Sequence, residues 1–280
     1  MLAPAFPKSI IIELTNRCQQ PATCMQYCPR KIMIESEGLG DMSWELFVKL
    51  MYEIQSSNQN PDITLHRRGE STLYEHFNEA LVLARSSTKG KLLLATNAIS
   101  IDHHQLDIML NCLDFVNFSI TPESNKDSIY YFIDKNRQHG ECVEIQASAV
   151  DYLGLDRAEF TRIWQPQVDR VRIYACHSQN GQPGSLDIDR GKRTTCVKPF
   201  TEMAILWNGN IHPCPHRWLG TYNLGNVNSV SISSVWGGEL FQDLRKQQSS
   251  HNFTDTMCVG CNSWYTTEGE QGTGASITKV

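Results

Sequence analysis

The chain has 280 residues, 40% of them hydrophobic and 20% charged. This supplies a full core, excludes a disordered or collagen-like chain, and suits one large domain with or without a small extension. Lys and Arg number 25 against 30 Asp and Glu, a net charge of −5, which argues against nonspecific nucleic-acid or anionic-membrane binding.

Ser9-Ile10-Ile11-Ile12-Glu13-Leu14 is a short apolar run that reads as a buried strand. A loop with Cys18, Cys24 and Cys28 follows, spaced C-x5-C-x3-C. Ser43 caps an expected helix that starts at Trp44 and keeps a helical apolar period through Met51 and Ile54. A second strand is expected over 62–66, followed by Arg67-Arg68-Gly69-Glu70 and a helix over 73–85. Strands at 91–95, 115–120, 142–147 and 171–175 alternate with helices at 106–113, 124–138 and 158–164.

Six strands alternating with helices predict a parallel sheet, because parallel strands need crossover helices. In barrel-like α/β folds the chemistry sits at the C-terminal ends of the strands. The polar residues gather at those ends: the cysteine loop, His66 to Glu70, Asn97, Ser119 and Cys176. Residues 182–280 differ, opening on Gln182-Pro183-Gly184-Ser185. There Ala204–Trp207 and Asn210–Pro213 flank Asn208-Gly209, which predicts a hairpin with a type I′ turn. A helix is expected over 235–246, and the Gly/Ser/Thr-rich stretch from 266 onward reads as loosely held.

No run of 18 apolar residues exists, so no transmembrane helix is expected. Residues 1–8 lack the charged start and apolar run of a signal peptide. The expectation is a cytoplasmic protein without membrane or nucleic-acid partners. Ten cysteines in a reducing compartment then call for a role other than disulfides.

Seven of them form two groups, the N-terminal three and the set Cys196, Cys214, Cys258 and Cys261. Four thiolates close a tetrahedral zinc site or fill the corners of a [4Fe–4S] cluster, whereas three leave one iron open to a ligand. For the first group zinc would need a fourth ligand, and no His lies nearby. Two structural zinc sites, or scattered buried thiols, remain the alternatives at this point.

The residues resemble the radical S-adenosylmethionine (SAM) enzymes. Glu13-Leu14-Thr15-Asn16-Arg17-Cys18, with Cys24, Tyr27, Cys28, Pro29 and Arg30, is similar to that family's cluster loop, although its usual spacing is the shorter C-x3-C-x2-C. Gly69-Glu70 resembles the Gly-Gly-Glu motif with Arg68 in place of the first Gly, and Thr96-Asn97 resembles a recurrent third-strand ending. Cys196, the Asn208-Gly209 hairpin, Cys214-Pro215, Leu224-Gly225-Asn226, Trp236, Arg245 and the Cys258/Cys261 pair resemble the small twitch extension, a shorter relative of the SPASM domain.

The resemblance implies an α/β fold: a partial (β/α)6 TIM-like barrel over 1–181 and an α+β iron–sulfur (twitch) extension over 182–280. It implies SAM and two [4Fe–4S] clusters as cofactors, one on Cys18, Cys24 and Cys28 and one on Cys196, Cys214, Cys258 and Cys261. An electron donor such as flavodoxin or ferredoxin is implied with them. Glu70 and the backbone of Gly69 would hold the methionine ammonium, Tyr27 would pack on adenine, and Asn97 and Ser119 would reach the carboxylate or ribose. Each has a plainer reading: an acid at a helix start for Glu70, core packing for Tyr27, turn chemistry for Asn97 and Ser119.

Cys176 would face the site as a hydrogen-atom donor, or be a small buried apolar residue. Cys112 and Cys142 read as packing thiols. His66, Arg68, Arg172, His177 and Asn180 lie near strand ends and would bind a polar substrate. In strand geometry Arg67 and Arg68 point to opposite sides, so at most one faces the site. The leading expectation is dehydrogenation of a polar small molecule such as a sugar or aminocyclitol, since the compact layout resembles twitch-bearing dehydrogenases. Epimerisation through Cys176, modification of a ribosomally made peptide, and a zinc-stabilised protein without catalysis are the alternatives. A first strand starting near residue 9 leaves no room for an N-terminal peptide-recognition domain, which disfavours the peptide reading.

Overall fold

The computed structural model describes residues 2–19, 22, 24, 28, 30–151, 154–175, 193–215, 223–253, 258, 259 and 261. Strands β1 (Ser9–Ile12), β2 (Asp62–Thr64), β3 (Leu92–Thr96), β4 (Phe115–Ser119), β5 (Glu144–Asp151) and β6 (Arg170–Ala175) pair in sequence order, all parallel. Helices α2 (Trp44–Ser57), α3 (Phe77–Ser87), α4 (His103–Cys112), α5 (Lys126–Gln138) and α6 (Arg157–Trp164) make the crossovers, preceded by α1 (Arg30–Glu37). The architecture is the expected partial TIM-like barrel.

Beyond it come α7 (Lys198–Thr201), β7 (Glu202–Ile205), β8 (Ile211–His212), α8 (Ile232–Trp236) and α9 (Glu239–Ser250). The sheet order is β6-β5-β4-β3-β2-β1-β7-β8. The expected hairpin therefore joins the barrel sheet: β7 runs parallel to β1, with Ile10 opposite Met203, and β8 returns antiparallel. Its turn differs from expectation. Within Asn208-Gly209 only Gly209 takes a positive φ, +83°, and its N–H bonds the Leu206 carbonyl. That is a turn closed by a left-handed glycine, where type I′ would need two positive φ values.

Alternation sets the two faces of the sheet. Ile10 and Ile12, Ile63, Leu92 and Leu94, Val116 and Phe118, Ile145, Ala147 and Ala149, and Ile173 enter one continuous core with the helices. The intervening residues thus share the opposite face, among them Thr64, Asn117, Ser119, Gln146, Ser148 and Arg172.

Most helix starts follow local capping. Ser43 accepts a bond from Leu46 N as expected. Helix α4 starts earlier than expected because Asp102 and Gln105 form a reciprocal capping box. The stretch expected to be helical from 73 instead begins as a 3-10 turn, Ser71–Leu73, under the side chain of Glu70, before α3. Helix α1 was not foreseen. It opens next to the cysteine loop, where loop and helix signals overlap.

Candidate functional site

The cysteine loop leaves β1 and is clamped from β2. Glu70 N donates to Arg17 O at 2.7 Å, and a Cβ on Gly69 would fall 2.2 Å from Thr15 O and 2.7 Å from Arg17 O. Only a glycine fits there. Farther along, Cys28 N bonds Cys24 O at 2.8 Å, and Arg30 Nη1 donates to the carbonyls of Asn16 and Arg68. Burial pushes the Cys28 thiol up to about 11. The Arg30 backbone bond and charge oppose this, while negative charge on Cys24 and Cys18 adds to it. Cys28 is thus within electrostatic reach of both other thiols of the loop. Asn97 stands over them, with Nδ2 3.8 Å from Cys18 Sγ and 3.0 Å from Gln19 Oε1.

Two buried glutamates at adjacent strand ends have opposite surroundings. Glu13 receives Arg68 Nε at 2.7 Å and Nη2 at 2.8 Å, and Arg67 Nη1 lies 4.0 Å away. Burial pushes the Glu13 carboxyl up, but the bond from Arg68 and the charges of Arg68 and Arg67 outweigh it and hold it low. Glu70 accepts only neutral donors: Thr72 N and Oγ1, Thr96 Oγ1 at 2.8 Å and Asn97 N at 2.8 Å. Burial outweighs these bonds and raises its pKa. A buried carboxylate dressed by neutral donors is suited to a cation brought by a ligand.

Arg68 is 3% exposed. Besides Glu13, it donates through Nη1 to Glu37 Oε2 at 2.8 Å, so its guanidinium joins β1's end to α1. Arg67 turns the other way, its Nη2 2.9 Å from His212 Nδ1 on β8. His66 is half-buried, and burial lowers its pKa to about 4 against the pull of Glu13.

Register lines up the rest. Ser119, which ends β4, lies opposite Ser148 in β5, and Ser148 lies opposite Arg172 in β6, forming one row across the three strands. Asn97 follows Thr96, which pairs with Phe118 beside Ser119. Gln146, one step below this row, donates through Nε2 to Asn117 Oδ1 and to Tyr174 Oη, which reaches back from beyond Arg172 on β6, each at 3.0 Å. Sequence reasoning missed Asn117, Gln146, Ser148 and Tyr174. A polar residue alternating with apolar ones inside a buried parallel strand was the available signal. Tyr27, Cys176, His177 and Asn180 lie outside the described residues.

The four C-terminal cysteines meet although far apart in sequence. Burial raises Cys196 to about 11, Lys198 opposes this, and Cys261 and Cys258 add to it. Burial raises Cys214 further, reinforced by Cys261, Cys196 and Cys258. Gln248 ties the segments together: its Oε1 accepts from Cys196 N at 3.2 Å and its Nε2 donates to Cys258 Sγ at 3.2 Å. Arg193 Nη1 holds Cys258 O at 2.7 Å, and Cys261 N bonds the same carbonyl at 3.1 Å. Among the described residues no three His, Cys, Asp or Glu side chains converge as a single metal ion would require. Soft thiolate donors in groups of three and four suit an iron–sulfur cluster, with metal displacing the thiol proton on binding.

A partial barrel whose cysteine loop leaves β1, continued by a C-terminal thiol group, is a fold this chain shares with solved AdoMet-bound proteins, and its C-terminal part matches an iron–sulfur domain. Residues 196–262 match the SPASM family, described as an iron-sulfur cluster-binding domain. Among solved structures, the chain is similar to BtrN in complex with AdoMet and 2-DOIA at 18% identity, covering 94% of each chain with a TM-score of 0.67. It is similar to Streptococcus suis SuiB bound to precursor peptide SuiA at 14% identity, covering 87% of this chain and 67% of that one, TM-score 0.61. Native anSMEcpe with bound AdoMet and Cp18Cys peptide gives 13% identity, 86% and 82% coverage and a TM-score of 0.59. No curated protein matches in sequence.

Proposed function

We propose that the protein is a radical SAM enzyme that dehydrogenates a polar small molecule of the sugar or aminocyclitol kind. The observation that carries this reading is the polar sheet face beside the cysteine loop: Asn97, Ser119, Ser148 and Arg172 in one row, Asn117 and Gln146 below it and Tyr174 above it. Hydroxyl- and amine-rich molecules need such a set of fixed donors and acceptors, because an unmatched buried polar group is costly. Similarity to BtrN, whose complex holds 2-DOIA, supports the same substrate class.

Cys18, Cys24 and Cys28 would hold one [4Fe–4S] cluster, and Cys196, Cys214, Cys258 and Cys261 a second. Bound SAM and the two clusters supply a 5′-deoxyadenosyl radical to take a hydrogen atom and an acceptor for one electron. Glu70, fixed by Thr72, Thr96 and Asn97 N, presents its carboxylate to the methionine ammonium, and Gly69 keeps the strand end close enough to the loop. Asn97 Nδ2 and Ser119 orient the carboxylate or ribose, and Tyr27 stacks on adenine. Arg172 and His66, with His177 and Asn180, would meet the substrate. In functional terms residues 1–181 form the radical site and 182–280 the auxiliary-cluster region. An electron donor such as flavodoxin or ferredoxin in the cytoplasm completes the system. No helix among the described residues is long and apolar enough to cross a membrane.

A second reading, modification of a peptide, is supported by the similarity to SuiB and anSMEcpe, both solved with peptides. The test is anaerobic turnover with SAM, a reductant and a panel of aminocyclitols, sugars and Cys- or Ser-containing peptides. We expect 5′-deoxyadenosine formation to rise with a small molecule, with product two hydrogens lighter. A rise with peptide alone transfers the reading to the second class. A product of unchanged mass carrying one solvent deuterium makes the enzyme an epimerase and brings Cys176 forward. Colourless protein holding zinc ends all three.

A further inference from the structure

Arg67 is the described barrel-side cation that reaches the C-terminal thiol region. Its side chain is 2% exposed. It stands between Glu13 Oε1, at 4.0 Å, and His212 Nδ1, at 2.9 Å from Nη2. A guanidinium only donates, so Nδ1 of His212 is the acceptor and its proton sits on Nε2. His212 ends β8, and Cys214 follows two residues on.

The charge balance around Arg67 is unusual. Glu13 is already engaged by both Nε and Nη2 of Arg68, whose Nη1 goes to Glu37. Arg67 is therefore not the principal partner of the carboxylate it approaches. Burial and the Arg68 cation pull its pKa to about 10, while Glu13, Cys214 and Glu37 hold it up, so it stays charged at neutral pH. On the far side of the thiols stands Lys198, acting on both Cys196 and Cys214.

We infer that Arg67 is a positioning residue that sets the reduction potential of the auxiliary cluster: its buried guanidinium, hydrogen-bonded to His212 beside Cys214, stabilises the reduced and more negative state. The inference rests on the proposal that Cys196, Cys214, Cys258 and Cys261 bind a [4Fe–4S] cluster. Cluster potentials respond to nearby charge and to hydrogen bonding and solvent exposure around the sulfurs. A fixed cation in a site without water is screened little, so its effect there is large. Arg67 lies three residues past the end of β2 and reaches across to β8. By stabilising the reduced state, it would make the auxiliary cluster a better electron acceptor.

The experiment is an EPR-monitored redox titration of reconstituted wild type, Arg67→Gln and Arg67→Lys, with iron counted in each. We expect Arg67→Gln to shift the auxiliary-cluster midpoint to lower potential, with a smaller shift at the first cluster, and Arg67→Lys to lie near wild type. An unchanged auxiliary midpoint in Arg67→Gln overturns the inference. If Arg67→Gln loses the auxiliary iron, Arg67→Lys decides. Iron retained in Lys supports the role of charge, and iron lost in both variants overturns it in favour of packing. If wild type itself binds only the first cluster, the proposed function fails instead, a result separable by iron count alone.

Discussion

Cys18, Cys24 and Cys28 come from one loop between β1 and α1, whereas Cys196, Cys214, Cys258 and Cys261 come from three segments separated by β7–β8 and by α8–α9. The first set is shaped by backbone: the Gly69 approach, the Glu70 N–H on Arg17 O and Arg30 on the Asn16 carbonyl. The second is tied by side chains, chiefly Gln248, Arg193 and Lys198. A loop held by neighbouring strand ends is already formed when the barrel folds. A group drawn from distant segments depends on its ties and on the metal it binds. The two sets should accordingly respond differently to substitution.

The largest effect is expected at Gly69→Ala. The new Cβ would meet Thr15 O at 2.2 Å and Asn16 Cα at 2.8 Å, all backbone, so the loop must move. We expect iron to fall from about eight to about four per chain, the auxiliary set keeping its share. Iron at the wild-type level would show that the loop tolerates displacement, and that backbone closeness is not what shapes the first set.

Next comes Glu13→Gln, which leaves Arg68 and Arg67 facing an amide. Breaking a buried pair from one side costs about 3–5 kcal/mol, read as a fall in the denaturant midpoint. The sign with pH follows from the depressed folded value of Glu13. Its stabilisation is present above the ordinary carboxylate range and is lost as pH falls through the depressed value. Glu70→Gln is the contrast. With neutral donors only, it should cost little stability and weaken SAM binding about tenfold or more, the worth of a charged hydrogen bond. Equal destabilisation by the two variants would erase the distinction between a paired and a ligand-ready carboxylate.

Gln248→Ala probes the C-terminal ties. Gln248 is fully buried, and its loss leaves Cys196 N and Cys258 Sγ without this partner. The expected cost is about 1–3 kcal/mol, with auxiliary iron released faster to a chelator and first-cluster iron unaffected. Release at equal rates from both clusters would mean that the two sets are not independently held.

These contrasts also explain what was legible in the sequence. Strands β1 to β6 were readable because buried parallel strands are short apolar runs between helical periods. The cysteine loop, Glu70 and Asn97 were readable as motif residues at strand ends. The position of Arg68 near a strand end is visible in sequence, whereas its partners, Glu13 and Glu37, are tertiary. Gln146, Asn117 and Tyr174 were hidden for the same reason: each reads as one polar or amphipathic residue in an apolar strand. Only the register brings them to one face. That β7 joins β1 was equally unreadable, since a hairpin's own pattern does not say which edge it will extend.

The smallest expected effect lies at His66. Its Nδ1 is shut off from solvent with no hydrogen-bond partner among the described residues. Burial takes its pKa from 6.5 to about 4, with Glu13 pulling the other way. The sign is that of a histidine buried neutral: the unfolded chain takes up a proton first. Folding stability therefore falls as pH drops from about 6.5 toward about 4, and is level above the unfolded value. His66→Asn removes the titration and keeps a polar side chain. We expect its urea midpoint to be flatter than that of wild type between pH 6.5 and 4.5, with Glu13 contributing only below that range. Parallel pH curves for the two proteins would mean that His66 is charged and solvated in the folded state. The thiol group at the C-terminus would be untouched by the result.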